Sequence, residues 1–146
     1  GISAMALKHV LQTLHNRYGQ DEGKWFCEGS ILEVYNDSVC DLLSRSTADL
    51  CLREDPYKGV WAEGARTLRL RRGEDVMRLI KVARSRLRFS STAMNLRSSR
   101  SHLVLSVFLY LEEPERSAGQ QGEKVYRQSR LTLVDLAGNE RVCASL

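Results

Sequence analysis

The run LVLSVFLYL, residues 103–111, limits what this 146-residue chain can fold into more than any other stretch. From Leu103 to Tyr110 it is apolar but for Ser106, so it reads as a long buried strand. A second strand is expected at WFCEGSILEVY (25–35), which is rich in aromatic and β-branched residues. A third, RLTLVD (130–135), has a short apolar run without strict alternation, the pattern of a strand covered on both faces. LCLRED (50–55) and VWAEG (60–64) read as two short strands around a loop with Pro56 and Gly59, and TLRL (67–70) as one more.

Amphipathic helices separate these strands. Residues 2–15 place Ile2, Leu7, Val10, Leu11 and Leu14 at helical spacing, and Gly19 and Gly23 then break the pattern. From Gly73, Glu74 and Asp75 give a second helix an acidic first turn, which suits the helix dipole. Val76, Leu79, Ile80, Ala83 and Leu87 make its buried stripe, while Arg78, Lys81, Arg84 and Arg88 largely fall elsewhere. Asn36-Asp37 is expected to turn the chain into a short helix ending near Leu42-Leu43, with Asp37 as N-cap. With 42% hydrophobic residues the chain can bury a core, and its length is that of one domain or part of one. Strands mixed with such helices predict a three-layer α/β domain with a central sheet. In sheets of this kind, ligands bind outside the carboxyl ends of the strands.

Charge is unevenly spread. Residues 66–100 carry 11 Lys and Arg against 2 Asp and Glu, whereas residues 1–65 carry 6 against 10 and residues 101–146 carry 5 against 6. A basic centre between acidic flanks points to an anionic partner (nucleic acid, nucleotide or an acidic protein surface) or to a solvated basic helix face. Nucleic acid is poorly supported, because apart from Phe89 no aromatic is interleaved with these arginines to stack on bases. Cys27, Cys40, Cys51 and Cys143 form no CxxC pair and histidine is scarce, so no zinc site is expected. Reduced thiols in a cytosolic or nuclear protein are the plain reading, with Cys27 and Cys51 in the core. No apolar run nears the ~18 residues that span a bilayer, and no signal peptide opens the chain. Gly1, in place of a start methionine, suggests an excerpt of a longer chain.

Two motifs carry chemistry. In LTLVDLAGNE (131–140), an apolar strand ends on Asp135, Gly138 follows three residues later, and then comes Glu140. An acid at the tip of a buried strand is costly unless a positive partner meets it. In P-loop NTPases that partner is Mg²⁺, held directly or through water. Gly138 has no Cβ, so its N–H can approach a phosphate closely. In NLRSSRSH (95–102), at the mouth of the 103–111 strand, serine hydroxyls can ligate Mg²⁺ and hydrogen-bond a phosphate oxygen. Arg100 can pair with a carboxylate, and Glu140 is the natural candidate. Taken singly, the first motif is also an ordinary strand-to-turn with a solvated Asp135, and the second a polar turn or a phosphorylation-type loop. Together they point to a pocket for phosphate and a metal ion.

AMNLRSSRSH resembles switch I of the kinesin motor domain, and LTLVDLAGNER resembles its switch II with Asn139 in place of the usual serine. SILEVYNDSVCDLL (30–43) is similar to the kinesin segment S-x-x-E-x-Y-N-x-x-x-x-D-L-L, and LREDPYKGVWAEG (52–64) resembles the hairpin that bears a microtubule-contacting loop. The four blocks stand in kinesin order and cover nearly the whole chain. The resemblance implies an incomplete, three-layer P-loop NTPase-type α/β fold, a central mixed sheet flanked by helices. Residues 1–146 would run from after the phosphate loop through switch II. It implies an ATP-dependent microtubule motor with ATP and Mg²⁺ as cofactors and tubulin as partner. Neither DNA, RNA nor membrane insertion is expected, and the place of work is the cytoplasmic microtubule cytoskeleton.

The resemblance also implies roles. Ser99 would ligate the Mg²⁺ of bound ATP and Asp135 would hold a water on that ion. Ser98 would contact the γ-phosphate or the attacking water, Asn95 would help order the nucleotide loop, and Gly138 would sense the γ-phosphate through its N–H. Arg100 and Glu140 would form the ion pair that closes the site during hydrolysis. Lys58 and Arg66, in or near the hairpin, and Arg141, after switch II, would face acidic tubulin. His102 is expected to pack and hydrogen-bond at the strand start rather than do chemistry.

Departures from the kinesin pattern are also legible. The phosphate loop G-x-x-x-x-G-K-S/T is expected upstream of Gly1. Gly23-Lys24 cannot be that loop, since Tyr18 stands where its first glycine belongs and Trp25 follows. The intact protein would be a microtubule-stimulated ATPase, and this stretch alone would be inactive. Ala4 and Met5 stand where kinesins commonly have Pro-Arg, and Arg86-Leu87 where Asn-Arg is usual. The alternative reading is a catalytically inactive kinesin-like microtubule-binding module or a truncated isoform.

Overall fold

The computed structural model describes residues 1–21, 23–56, 59–91, 100–114 and 124–137. In chain order its elements are α1 (Ile2–Tyr18), β1 (Trp25–Tyr35), β2 (Ser38–Asp41), β3 (Leu52–Asp55), β4 (Gly59–Ala62), β5 (Leu68–Leu70), α2 (Gly73–Ser91), β6 (His102–Glu112) and β7 (Tyr126–Asp135). The α/β class expected from the sequence is what forms. Among the described residues every strand pairing is antiparallel.

β1 is the spine of the main sheet. One of its edges pairs with β6 from Trp25 opposite Leu111 to Val34 opposite His102. Its other edge is shared, with β5 beside Cys27–Gly29 and β2 beside Leu32–Tyr35. β6 carries β7 on its far side, and β3 with β4 forms a separate hairpin. Alternation assigns the faces. Cys27, Ile31, Leu105 and Val107 point into the core, together with Leu7, Leu11 and Leu14 of α1 and Val76, Leu79 and Ala83 of α2. Both helices therefore bury their stripes on the same face. Gly29 sets the closeness of α2, since a Cβ there would lie 2.7 Å from Leu79 Cδ2.

The opposite face carries Phe26, which stacks on Tyr110 at 4.3 Å between ring centroids and meets Tyr126 edge-on at 5.1 Å. The Arg69 guanidinium lies 3.8 Å over the Phe26 ring, a cation–π contact, and pairs with Glu28.

α1 ends at Gly19, whose N–H closes the last helical turn on the His15 carbonyl at 2.9 Å and whose positive φ of 70° then turns the chain out of the helix. At the start of α2, Asp75 Oδ2 accepts the N–H groups of Arg71 and Arg72 at 2.9 and 3.0 Å. That carboxylate satisfies donors the first helical turn cannot.

Four expectations need correction. Asn36 and Asp37 do not open a helix. Both have positive φ, 49° and 63°, and form a two-residue hairpin turn from β1 into β2. No helix follows for Asp37 to cap; Asp41 instead closes the turn after β2 with its side chain. It is buried, its Oδ1 accepts the Leu43 N–H at 2.8 Å and its Oδ2 accepts the Arg66 N–H at 2.9 Å. Ile2 leaves the α1 stripe, at 83% exposed, because burial along that helix begins only at Leu7. β7 begins at Tyr126 and is mostly exposed, with Val134 at 52%. It lies outermost in the described sheet, whereas α2 packs over β1 and β5.

The thiols also divide. Cys27 is buried, and burial pushes its thiol from 9.0 up to about 11, outweighing the charge of Arg69. Cys51 stands exposed just before β3, not in the core. Cys143 lies outside the described residues.

Candidate functional site

Antiparallel pairing joins the start of β6 to the end of β7. Leu103 lies opposite Asp135, and on the other edge of β6 His102 lies opposite Val34. The two sequence motifs therefore leave the sheet at one end. Asp135 is the last residue of β7 and Arg100 stands two residues before β6, both with exposed side chains. Arg66 is exposed at the base of the β3–β4 hairpin, where its backbone is held by Asp41. Asn95, Ser98, Ser99, Gly138, Glu140, Lys58 and Arg141 lie outside the described residues, and the expected Arg100–Glu140 pair with them.

His102 closes this end of the sheet. Its Nδ1 accepts a hydrogen bond from the Ala137 N–H at 3.0 Å. That geometry needs a lone pair on Nδ1 and places the ring proton on Nε2. Hydrogen bonding at the strand start was expected of His102. Its partner was not, because a backbone donor leaves no mark on a sequence. Another contact of this kind is Arg130, in β7, whose Nη1 donates to the Val60 carbonyl at 3.1 Å and ties the strand that ends in Asp135 to the hairpin. Arg86, one of the departures from the family pattern, donates from Nη1 to the Ser44 carbonyl in the turn after β2. Its neighbour Leu87 packs against the core.

Magnesium takes hard oxygen donors and keeps part of its water shell. The solvent-facing carboxylate of Asp135, at the open end of the sheet, fits a ligand that acts through water. Among the described residues, no group of three His, Cys, Asp and Glu side chains gathers to hold a metal by itself. A cleft of about 180 Å³, lined by His15, Trp25, Phe26, Arg69 and Arg72, lies at the start of β1. The start of β6 and the end of β7 lie at the other end of that strand, roughly 30 Å away at ~3.3 Å per residue. This cleft is therefore separate from the motif end.

Comparison with known proteins agrees with the resemblance seen in the motifs. The family model for the kinesin motor domain matches residues 1–146. Kinesin-like protein KIN-8B of Arabidopsis thaliana is 34% identical over 141 residues, covering 97% of this chain and 16% of that protein. Kinesin-like protein Klp61F of Drosophila melanogaster is 34% identical over 145 residues, covering 97% of this chain and 13% of that protein. The chain thus spans only 13% to 16% of the length of these two relatives. The solved structure of a fast kinesin matches in fold with a TM-score of 0.82, over 98% of this chain and 38% of that one, at 22% identity. On the family model and the relatives, this chain belongs to the kinesin motor domain family.

Proposed function

We propose that these residues form the middle of an ATP-hydrolysing microtubule motor domain, from after the phosphate loop through switch II. The observation that supports this most is the register of Leu103 opposite Asp135, which sets the start of β6, from His102, and the end of β7, at Asp135, at one end of the sheet. Bound with ATP, magnesium would neutralise charge on the phosphates. The chain's residues then divide the work. Ser99 would hold that ion directly and Asp135 would hold it through water. Asn95 orders the nucleotide loop, and Ser98 orients the γ-phosphate or the attacking water. Gly138 donates its N–H to a γ-phosphate oxygen, and Arg100 with Glu140 closes the site. Loss of the γ-phosphate removes contacts from both loops, which relax, and that relaxation is the switch. Lys58, Arg66 and Arg141 meet acidic tubulin, and the protein works on cytoplasmic microtubules.

The test is substitution in the natural full-length protein. Ser99→Ala or Gly138→Ala should lower microtubule-stimulated ATP hydrolysis by about 100-fold or more. Arg100→Ala should keep ATP binding and block hydrolysis. Normal turnover in the first two variants would refute the assignment. Microtubule cosedimentation that ignores ATP, ADP and a non-hydrolysable analogue would instead favour the non-catalytic module.

A further inference from the structure

We infer that His102 is a positioning residue, whose ring tethers the chain entering Gly138 and so sets where that amide stands. This deepens the reading of Gly138 as the γ-phosphate sensor and rests on it. The β6–β7 ladder ends with Leu103 opposite Asp135. Beyond it, Leu136 is 71% exposed, so no apolar packing of that side chain anchors the chain as it leaves the sheet. The next residue, Ala137, is held by its N–H to His102 Nδ1, and Gly138 follows immediately. His102 is itself well fixed. It is the first residue of β6 and pairs with Val34 of β1, so its ring projects from a paired strand rather than from a loop. A rigid acceptor therefore fixes the peptide adjoining the sensing amide. Reacting groups held this way lose activity when displaced by a fraction of an ångström.

The chemistry gives a selective test, because only one atom of the ring is used. In His102→Asn, Oδ1 can occupy the place of Nδ1. In His102→Gln the acceptor lies one bond further out, and His102→Leu has none. All three would be made in the full-length protein. Two quantities would be read: hydrogen exchange at the Ala137 amide, and kcat and KM for ATP with microtubules present. His102→Leu and His102→Gln should speed exchange and lower kcat by about five- to tenfold, the worth of one half-buried hydrogen bond. KM for ATP should stay within about twofold, and His102→Asn should recover both readings to within about threefold. The inference is overturned if His102→Leu matches the wild type in either reading. It is also overturned if His102→Asn falls as far as His102→Leu, since ring packing rather than the acceptor would then matter. A wild-type protein that does not hydrolyse ATP would refute the functional reading instead, and exchange alone would then judge the tether.

Discussion

Gly29 sits on the core face of β1 beneath α2, and adding one methyl group there tests how tightly helix and sheet are fitted. The Cβ of Gly29→Ala would lie 2.7 Å from Leu79 Cδ2 and 3.0 Å from Leu70 Cδ1. Carbon atoms in contact normally stand about 3.5–4.0 Å apart, so the methyl intrudes by roughly 1 Å. Leu79 and Leu70 are 0% and 1% exposed, which leaves neither side chain room to swing away. Overpacking of this kind costs about 1–3 kcal/mol. The smaller entropy of alanine in the unfolded chain returns about 0.4–1 kcal/mol. The net expectation is a loss of about 1–2 kcal/mol, read as a lower urea midpoint at unchanged slope. Leu79→Ala should itself cost about 2–5 kcal/mol and empty the space that the methyl invades. In that background only the 3.0 Å approach to Leu70 remains, so Gly29→Ala should cost less, and a double-mutant cycle should give a coupling of at least about 1 kcal/mol. An unchanged midpoint for Gly29→Ala, or an equal loss in both backgrounds, would refute the reasoning.

Three further outcomes are expected. Iodoacetamide should modify Cys51 in the folded protein and spare Cys27 until unfolding, since one is exposed and the other buried. Because the folded thiol of Cys27 is raised from 9.0 to about 11, its contribution to stability is full below pH 9 and lost as pH rises toward 11. Cys27→Ala should flatten that alkaline decline in urea melts, and an equally steep decline would count against the assignment. At the β1–β2 turn, Asp37 has φ of 63°, so Asp37→Gly should leave stability unchanged or raise it. Asp37→Val should cost about 1–2 kcal/mol, and equal midpoints for the two variants would contradict the turn geometry.

Much of the scaffold was legible because its residues have one physical use. The aromatic and β-branched stretch at 25–35 and the apolar run at 103–111 could only be strands, and the α2 stripe of Val76, Leu79 and Ala83 could only face a core. Asn36-Asp37 misled because the same side chains that cap helices also tolerate positive φ in hairpin turns. β7 misled for a different reason. Its composition reports how apolar a strand is, not which neighbours cover it, and its outer position in the described sheet leaves Leu131 and Val134 exposed. At the candidate site, Asp135 and Arg100 were legible as residue types at strand ends. The contacts of His102 with Ala137 and of Arg130 with Val60 were not, because each has one partner in the backbone.

The two oxygens of Asp41 have an evolutionary corollary. One holds Leu43 as the chain departs, and the other holds Arg66 as it returns. Everything between them, including the β3–β4 hairpin, is an excursion whose two ends meet on one carboxylate, with Val39 of β2 also held to Asp49 and Leu50. Lengthening a flexible loop whose ends are fixed costs little, roughly 0.6 kcal/mol per doubling. The hairpin is thus a cassette. Its length and surface can change while β1, β6 and β7 keep their register.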